Sequence, residues 1–272
     1  MSSQVELAIV IVSYNTKRDL ENCLRSLHAP PPAISHEIVV VDNASTDGSA
    51  KAVRSQWPHV RVIALDTNTG FARANNEGVR RTVSELILLL NSDTVVPAGA
   101  VDRLVHALRE LPGASIVGPR LVDEAGNPEL SFGRMMGPVN ELRQKTIVRF
   151  AGRRRLVSMT SHPRLVDWVS GACLLVRRRD AEAAGLFDER YFMYCEDVDF
   201  CATVRAKGGR VYFTPFAEVV HLRGRSGASN RSATAQAYRY SQLAFYRKHH
   251  PGWEPFLRLY LALRGKLPIK RR

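Results

Sequence analysis

The sequence has no apolar run long enough to cross a membrane as a helix. Its longest strongly apolar run, 86–90, falls far short of the roughly 20 residues that a membrane span needs. The first residues, 1–6, are few and polar, unlike a secretory signal. We therefore predict a cytoplasmic protein without a signal peptide, in which any membrane contact is peripheral.

Cysteine is also scarce. A chain of 272 residues contains four, Cys23, Cys173, Cys195 and Cys201. Four cysteines are too few to staple a chain of this length, and their spacing fits no common zinc-binding pattern. We predict reduced thiols, which agrees with a cytoplasmic location.

The glycine-rich motifs of common nucleotide-binding proteins are missing as well. No Gly-x-Gly-x-x-Gly follows the first predicted strand, and no Walker-type Gly-Lys-Ser/Thr occurs. We therefore expect neither an ordinary NAD site nor an ordinary ATP site. A nucleotide would have to be held in another way, for instance by side chains that hydrogen-bond its base.

What the first half of the chain does contain is a regular alternation of strand and helix signals. Apolar residues make up 45% of the whole sequence, which is enough for a sizeable core. Short apolar strands separated by helices are typical of parallel βαβ units in a buried sheet. The predicted strands are 8–12, 37–41, 60–65 and 85–90, and the predicted helices are 19–27, 49–57 and 71–82.

The second half is less regular. A segment rich in Gly, Arg and Pro, 123–165, is predicted to be a flexible excursion. The predicted strands here are 114–118, 168–176 and 210–214, and the predicted helices are 197–207 and 232–249. We divide the chain into one domain, 1–228, with a nucleotide-binding half, 1–120, and an acceptor-binding half, 121–228, followed by a helical, basic C-terminal segment, 229–272.

Positive charge is concentrated in the second half. The net charge is +13, but residues 1–130 carry 12 Lys and Arg against 15 Asp and Glu, whereas residues 131–272 carry 27 against 11. Two interpretations are open. The charge is either a solvated surface, or it faces an anionic partner such as an acidic bilayer, a lipid diphosphate or a nucleic acid.

Polar residues follow each of the four predicted strands of the first half. Because ligands bind beyond the carboxyl ends of parallel strands, these segments should meet at one edge of the sheet. Helix capping is the alternative, since Ser, Asp and Asn are preferred N-caps. Capping does not account for Asp42 and Asp93, where no helix is predicted to begin. The segments are 13–15, 42–43, 68–72 and 91–93.

Seven segments, taken in order, resemble the family 2 glycosyltransferases with the GT-A fold, especially their rhamnosyltransferase-like branch. They are VIVSYN (10–15), VVDNASTDGS (40–49), NTGFARANN (68–76), LNSD (90–93), VSGA (169–172), EDVD (196–199) and HLRGRS (221–226). The resemblance implies an α/β fold, a mixed sheet flanked by helices, with a C-terminal helical basic tail. It also implies transfer of a sugar from a nucleotide-sugar donor to an acceptor hydroxyl.

By this resemblance the donor nucleotide lies at the strand ends. Asp42 would accept a hydrogen bond from a pyrimidine N3–H, and an unpaired partner would make the wrong base costly. Asn15 and Asn75 could instead cap helices, Gly70 could simply permit a positive φ, and the loop that holds Arg223 and Arg225 could be solvated rather than fold over the diphosphate. The implied donor residues are Ser13, Tyr14, Asn15, Asp42, Asn43, Gly70, Asn75, Asn91, Ser92, Arg223 and Arg225.

The resemblance also implies a divalent cation, Mn²⁺ or Mg²⁺, held by Asp93. Such an ion neutralises the diphosphate that leaves, and it usually takes only one or two protein carboxylates. The family often has Asp-x-Asp, whereas this sequence has Asn91-Ser92-Asp93, so the first carboxylate is missing. His221 is implied as a second ligand, with a structural histidine as the alternative.

Glu196 and Asp197 are implied as the catalytic pair, with Asp197 the general base of a single inverting displacement. Their alternative role is to favour the start of a helix. The acceptor side of the cleft is assigned to Trp168, Ser170, Gly171 and Ala172, although Trp168 could equally be a core residue.

The function predicted is therefore a metal-dependent, inverting glycosyltransferase in cell-envelope glycan synthesis, at the cytoplasmic face of a membrane. The donor would be dTDP-L-rhamnose or else a UDP-sugar, and the acceptor a lipid-linked or polysaccharide sugar. A basic nucleic-acid-binding protein and a catalytically dead sugar-binding relative remain as alternatives. The tail, 253–272, could bind an anionic membrane, form a homodimer contact or cap the core.

Overall fold

The computed structural model describes residues 5–141, 153–222 and 231–268. Within these ranges a nine-stranded mixed sheet has the order β3-β2-β1-β4-β10-β6-β11-β5, with β8 paired to β11, and β7 pairs with β9 separately. The strands are β1 (Leu7–Ser13), β2 (His36–Asp42), β3 (Arg61–Ala64), β4 (Leu86–Asn91), β5 (Thr94–Val95), β6 (Ala114–Val122), β7 (Phe132–Gly133), β8 (Arg164–Val166), β9 (Trp168–Val169), β10 (Cys173–Arg177) and β11 (Arg210–His221).

Helices cover both faces of the large sheet. They are α1 (Lys17–His28), α2 (Ser49–Gln56), α3 (Phe71–Arg80), α4 (Ala100–Glu110), α5 (Arg153–Met159), α6 (Arg178–Ala183), α7 (Glu196–Ala206), α8 (Arg231–His249) and α9 (Glu254–Leu263), with a short 3₁₀ turn at Pro251–Trp253. Side chains of β1 alternate between two hydrophobic clusters, Ile9 and Ile11 in one and Val10 and Val12 in the other. Two cores therefore lie on opposite faces of one sheet.

The parallel half of the sheet confirms the prediction from sequence. Strands β3, β2, β1 and β4 are neighbours and all run parallel. All seven residues of β1 are buried, as expected for an apolar strand covered on both faces. All four cysteines are free and buried.

The rest of the chain departs from the prediction in several places. The strand predicted at 168–176 is broken into β9 and β10, because the Gly171 amide turns away and donates to the Asp197 carboxylate. Strand β11 continues to His221 instead of ending at 214, and it pairs there with β5. Helix α4 was not predicted. The described parts of the excursion, 123–141 and 153–165, contain β7 and α5, and 142–152 lies outside the described residues.

The C-terminal helix α8 packs against the body of the protein. Its Phe245 and Tyr246 join Met136, Tyr191 and Cys195 in a third, small cluster of buried side chains. The division at 228 stays a prediction, but α8 shares a core with the segment that precedes α7. In the described ranges, no helix combines the length and the apolar character needed to cross a bilayer.

A close approach between α3 and the sheet gives the first prediction. A Cβ added at Gly78 would overlap the Val10 side chain and lie 3.1 Å from Val41 Cγ2. We expect Gly78→Ala to lower the free energy of unfolding by about 1–3 kcal/mol through overpacking, although alanine favours an exposed helix by about 1 kcal/mol. Urea unfolding measures whether the free energy of unfolding falls or rises.

The matched control is Gly252→Ala. A Cβ at Gly252 would meet no atom within 4 Å, so this variant should keep the wild-type stability or gain slightly. A stabilised Gly78→Ala variant would show that α3 does not depend on this contact.

Candidate active site

One cavity of about 930 Å³ opens beyond the carboxyl ends of β1 and β4. The helices α3, α7 and α8 and the loop between β9 and β10 complete its wall. The described residues that line it are Val12, Tyr14, Asn43, Asn68, Gly70, Phe71, Asn91, Ser92, Asp93, Ser170, Gly171, Ala172, Met193, Tyr194, Glu196, Asp197, His221, Thr234, Ala235, Tyr238 and Arg239. Three of the four predicted acids, Asp93, Glu196 and Asp197, therefore line the same cavity.

The fourth predicted acid, Asp42, is not among the described residues that line the cavity. It ends β2 opposite Ser13 of β1 and is almost fully buried. Its Oδ2 accepts a hydrogen bond from the Ser45 amide at 3.1 Å, whereas its Oδ1 is buried with no partner in the described structure. An unpaired buried carboxylate oxygen is costly unless another group satisfies it. A ligand donor such as a pyrimidine N–H would do so.

Asn15 and Asn43 organise the loops on the nucleotide side. The Asn15 side chain accepts from the Thr46 amide at 2.7 Å. The Asn43 oxygen accepts from the Thr69 amide at 2.9 Å, and its nitrogen donates to the Gly70 carbonyl at 3.2 Å. Of the two, Asn43 lines the cavity among the residues described there, and Asn15 does not.

Gly70 joins the nucleotide side to the segment before α7. Its φ is +86°, and an added Cβ would lie 2.7 Å from Phe192 Cδ2. The next residue, Phe71, donates its amide to the Phe192 carbonyl at 2.7 Å. The predicted role of Gly70 in permitting a positive φ agrees with this conformation. The missing side chain also allows the segment before α3 to contact the segment around Phe192.

The capping interpretation of the two asparagines is wrong. Helix α1 begins after Thr16, one residue beyond Asn15, and α3 begins after Gly70. Asn75 lies inside α3, where its nitrogen donates to the Phe71 carbonyl at 2.9 Å, and its buried Oδ1 has no partner among the described residues. Neither Asn15 nor Asn75 lines the cavity as the structure describes it.

A chain of hydroxyls connects β1 with the end of β4. Ser13 Oγ lies 3.0 Å from Thr16 Oγ1, which lies 2.8 Å from Ser92 Oγ. Ser13 is buried behind the cavity, whereas Ser92 and Asn91 line it. The buried Oδ1 of Asn91 has no partner in the described structure. These hydrogen bonds connect β1 to Ser92 and thereby fix the backbone next to Asp93.

Asp93 and His221 form the candidate metal site. Asp93 Oδ1 lies 3.3 Å from His221 Nε2, and His221 Nδ1 lies 3.6 Å from Glu129 Oε2. Burial opposes the charged imidazole, but the Asp93 and Glu129 carboxylates outweigh it and raise the pKa of His221 to about 9. Glu129 was not predicted from the sequence. No group of three or more His, Cys, Asp or Glu side chains arranged to hold a metal occurs within the described ranges.

Asp197 is fixed at the start of α7. Its Oδ2 accepts from the Gly171 amide at 2.9 Å and its Oδ1 from the Val198 amide at 2.8 Å. Burial raises the pKa of Asp197, while these amides act against the rise. The two residues before the helix, Tyr194 and Cys195, have φ of +70° and +65°, a strained conformation for residues other than glycine.

On the acceptor side, the structure separates the four predicted residues. Ser170, Gly171 and Ala172 line the cavity, and a Cβ on Gly171 would lie 3.2 Å from Asp197 Cβ. Trp168 does not line it in the part of the chain that is described. Its indole instead donates to the Arg134 carbonyl at 2.9 Å and packs on the core of the α3–α7 face. The core interpretation of Trp168 is the one that agrees with this position.

The cavity wall formed by α8 was not predicted. Thr234, Ala235, Tyr238 and Arg239 come from its first turns. The sequence predicted this helix but offered no signal for which of its faces would meet the cavity. Arg223 and Arg225, predicted to contact the diphosphate, lie outside the described residues.

A buried carboxylate ties the far end of α8 to α7. Asp199 Oδ2 lies 2.8 Å from Lys248 Nζ, and Asp199 Oδ1 lies 2.6 Å from His249 Nε2. Tyr191 donates its hydroxyl to the same Oδ1 at 3.2 Å. The described partners of Asp199 are therefore a lysine, a histidine and a tyrosine.

Comparison with known proteins identifies the family. Residues 8–178 match the model described as Glycosyl transferase family 2, and the chain belongs to that family. It is 31% identical over 289 residues to N-acetylglucosaminyl-diphospho-decaprenol L-rhamnosyltransferase of Mycobacterium tuberculosis, covering 97% of this chain and 93% of the relative. The protein is therefore a glycosyltransferase, which favours that interpretation over the nucleic-acid-binding one.

Solved structures show the same fold. A mannosyltransferase from Pyrobaculum calidifontis, in complex with GDP-Man and Mn²⁺, aligns with a TM-score of 0.64 at 19% identity, covering 94% of this chain and 69% of that one. GalNAc-T7 with UDP, GalNAc and Mn²⁺ aligns with a TM-score of 0.64 at 17% identity, covering 89% and 48%. The protein has the GT-A fold.

Glu196 provides a prediction about stability. Its side chain is buried, its Oε2 has no partner in the described structure, and burial followed by the nearby Asp197 charge raises its pKa well above the usual range. A carboxyl with a raised folded pKa favours folding below its unfolded pKa, and that contribution is lost as the pH rises through the folded pKa. We expect Glu196→Gln to be more stable than wild type by about 1–3 kcal/mol at neutral to alkaline pH, but not at about pH 4.

Urea unfolding at the two pH values measures this difference. Glu110→Gln, which changes an exposed carboxylate on α4, is the control and should show no comparable pH-dependent gain. A Glu196→Gln variant that loses stability equally at both pH values would contradict the assignment of a raised pKa.

Proposed function

We propose that the protein transfers L-rhamnose from dTDP-L-rhamnose to a lipid-linked acceptor sugar, with inversion and with a divalent cation. The observation that carries the proposal is the convergence of Asp93, His221 and Asp197 on one cavity. The relative from Mycobacterium tuberculosis, which aligns along nearly the whole chain, supports rhamnose and a diphospho-polyprenol acceptor. A UDP-sugar donor is the alternative.

The donor's base would lie at the ends of β1 and β2. The buried, unpaired Oδ1 of Asp42 is suited to accept a pyrimidine N3–H. The N3–H of thymine or uracil would satisfy this oxygen. Tyr14 and Asn43 line the adjoining wall of the cavity. The orphaned oxygen therefore supports a base that presents an N–H donor, as the thymine of dTDP and the uracil of UDP both do.

The donor set of the cavity fits a divalent cation. Asp93 offers a carboxylate and His221 an imidazole nitrogen 3.3 Å from it. One carboxylate leaves room for phosphate oxygens and waters, and an imidazole ligand favours Mn²⁺ over Mg²⁺. The ion supplies charge neutralisation for the nucleoside diphosphate that leaves. Binding requires neutral His221, so the proton that Asp93 and Glu129 stabilise must be released.

Asp197 is the proposed base. Two backbone amides fix both carboxylate oxygens, and the raised pKa makes Asp197 a better proton acceptor than an exposed aspartate. The acceptor hydroxyl gives its proton to Asp197 as its oxygen bonds to the anomeric carbon. The bond from that carbon to the diphosphate breaks at the same time and the phosphate oxygen keeps the electron pair. A single displacement of this kind inverts the anomeric centre.

The acceptor sugar would enter between the β9–β10 loop and α8. Ser170, Gly171 and Ala172 lie beside Asp197, and Tyr238 and Arg239 face them across the cavity. The reaction would take place at the cytoplasmic face of a membrane, where a lipid-linked acceptor presents its sugar.

Turnover with defined substrates tests the donor and the acceptor. We expect product from dTDP-L-rhamnose and N-acetylglucosaminyl-diphospho-polyprenol, and faster turnover than with UDP-sugars. NMR of the product should show the anomeric configuration opposite to that of the donor. Product from a UDP-sugar alone would select the alternative donor, and retention of configuration would refute the single displacement.

The base is tested by Asp197→Asn. Removal of the proton acceptor should lower kcat by about 10²–10⁴-fold and leave the Kd for the donor nucleotide nearly unchanged. Single-turnover kinetics and nucleotide titration measure the two effects. Asp66→Asn, which changes an exposed aspartate after β3, is the matched control. Undiminished turnover by Asp197→Asn would remove it from this role.

The metal is tested by binding as well as by activity. We expect EDTA to abolish turnover and Mn²⁺ to restore it. His221→Gln and Asp93→Asn should each weaken Mn²⁺ binding in the presence of the nucleotide by at least about tenfold, because each removes a ligand. Electron paramagnetic resonance of free Mn²⁺ measures that binding. His106→Gln, at an exposed site on α4, should behave as wild type. Full activity in EDTA would contradict the metal's role.

A further inference from the structure

Helix α9 displays an apolar face that the described structure leaves uncovered. Its side chains and those of the preceding 3₁₀ turn are between 52% and 79% exposed. They recur at spacings of three and four residues, so they lie along one side of the helix. These residues, which we call the α9 face, are Trp253, Phe256, Leu259, Tyr260 and Leu263.

The opposite side of α9 is anchored to the protein. Leu261 is fully buried, and Leu257 packs against the cluster that contains Phe245 and Tyr246 of α8. Glu254 accepts from Arg247 of α8 at 3.3 Å and from Arg258 at 2.7 Å. One side of α9 is therefore packed against α8, and the other side, the α9 face, is exposed. The α9 face is exposed even though the helix itself is in contact with the rest of the protein.

The charge around the α9 face is positive. Residues 251–268 contain three basic residues, Arg258, Arg264 and Lys266, and one acid, Glu254, which is paired with arginine. The Arg264 guanidinium lies 5.9 Å from the centre of the Tyr260 ring. The sequence continues with three more basic residues at 270–272, and residues 131–272 carry 27 basic against 11 acidic residues.

We infer that the α9 face docks on an anionic lipid bilayer. Apolar side chains beside Arg and Lys are typical of helices that lie in the interface plane, where cations attract acidic lipids and apolar groups enter the acyl boundary. Trp253 and Tyr260 belong to the two residue types enriched at that interface. With ten residues, α9 is about 15 Å long, which suits lying on a membrane and not crossing it.

Charge complementarity selects the bilayer over a second copy of this chain. A symmetric dimer through the α9 face would bring Arg264 and Lys266 of one copy close to the same two residues of the other. Like charges placed together oppose such an interface. An acidic bilayer instead complements both of these cations. The inference goes beyond the transfer reaction and does not depend on which donor or acceptor the enzyme uses.

Vesicle binding tests the inference without any substrate. The full-length protein should co-sediment with vesicles rich in phosphatidylglycerol, and much less with pure phosphatidylcholine. Leu259→Ser combined with Leu263→Ser should weaken binding to the acidic vesicles by roughly tenfold or more. Val83→Ser combined with Val139→Ser, at sites that are 81% and 78% exposed, is the matched control and should bind as wild type.

A second double variant, with a matched control, tests how much the positive charge contributes to vesicle binding. Arg264→Gln combined with Lys266→Gln should weaken binding to phosphatidylglycerol vesicles and make the remaining binding less sensitive to salt. Lys51→Gln combined with Arg54→Gln removes the same charge from exposed sites on α2 and should have little effect. Because all these sites are exposed, every variant should fold, which circular dichroism checks.

Two results would overturn the inference. The first is equal binding of acidic vesicles by wild type and by both α9 variants, or no binding by wild type. The second is a dimer in light scattering that the Leu259 and Leu263 variant converts to a monomer, without vesicle binding by wild type. A protein that transfers no sugar but binds vesicles through α9 would refute the proposed function and leave this inference standing.

Discussion

The hydrogen bond from the Gly171 amide to the Asp197 carboxylate is the contact on which the candidate site depends. It lies at the point where one predicted strand breaks into β9 and β10, and it holds the first residues of α7 against that break. Gly171 has no Cβ to separate the two segments, so the acceptor loop and the candidate base lie in direct contact.

Five carboxyl groups lie in or near the site, and neighbouring basic residues stabilise some of them. Asp42, Asp93, Glu196 and Asp199 are all buried, and Asp197 is half-buried. Asp93 is compensated by His221, and Asp199 by Lys248 and His249. The oxygens left without described partners, on Asp42 and Glu196, lie around the cavity or just behind it. Buried polar atoms that the fold leaves unsatisfied are what a ligand can satisfy, and this favours a binding site over a structural cluster.

Helix α8 runs from the wall of the cavity to the buried Asp199 carboxylate. Its first turns supply Tyr238 and Arg239 to the cavity, and its last residues, Lys248 and His249, hold the Asp199 carboxylate two positions after Asp197. The same helix leads into α9, whose outer face is apolar and basic. The candidate base, the proposed acceptor wall and the proposed membrane contact therefore all adjoin one packed unit, the small cluster around Tyr191, Phe245 and Tyr246.

The parallel half of the fold and the location of the polar residues at its edge follow from local sequence patterns. Continuous apolar strands such as β1 must be buried on both faces, and the polar residues that follow them must lie at one edge, so Asp93 and its neighbours were predictable from local pattern alone. The seven ordered segments also indicated the family. Tertiary structure decided what depends on packing between distant segments. Because of this packing, Glu129 lies beside His221, Trp168 packs on the core and Asp42 does not line the cavity. The same packing determines the break in the predicted strand at Gly171 and the side of α8 that faces the cavity. These outcomes follow from contacts between residues far apart in the chain, and the spacing of residues along a single segment carries no information about them.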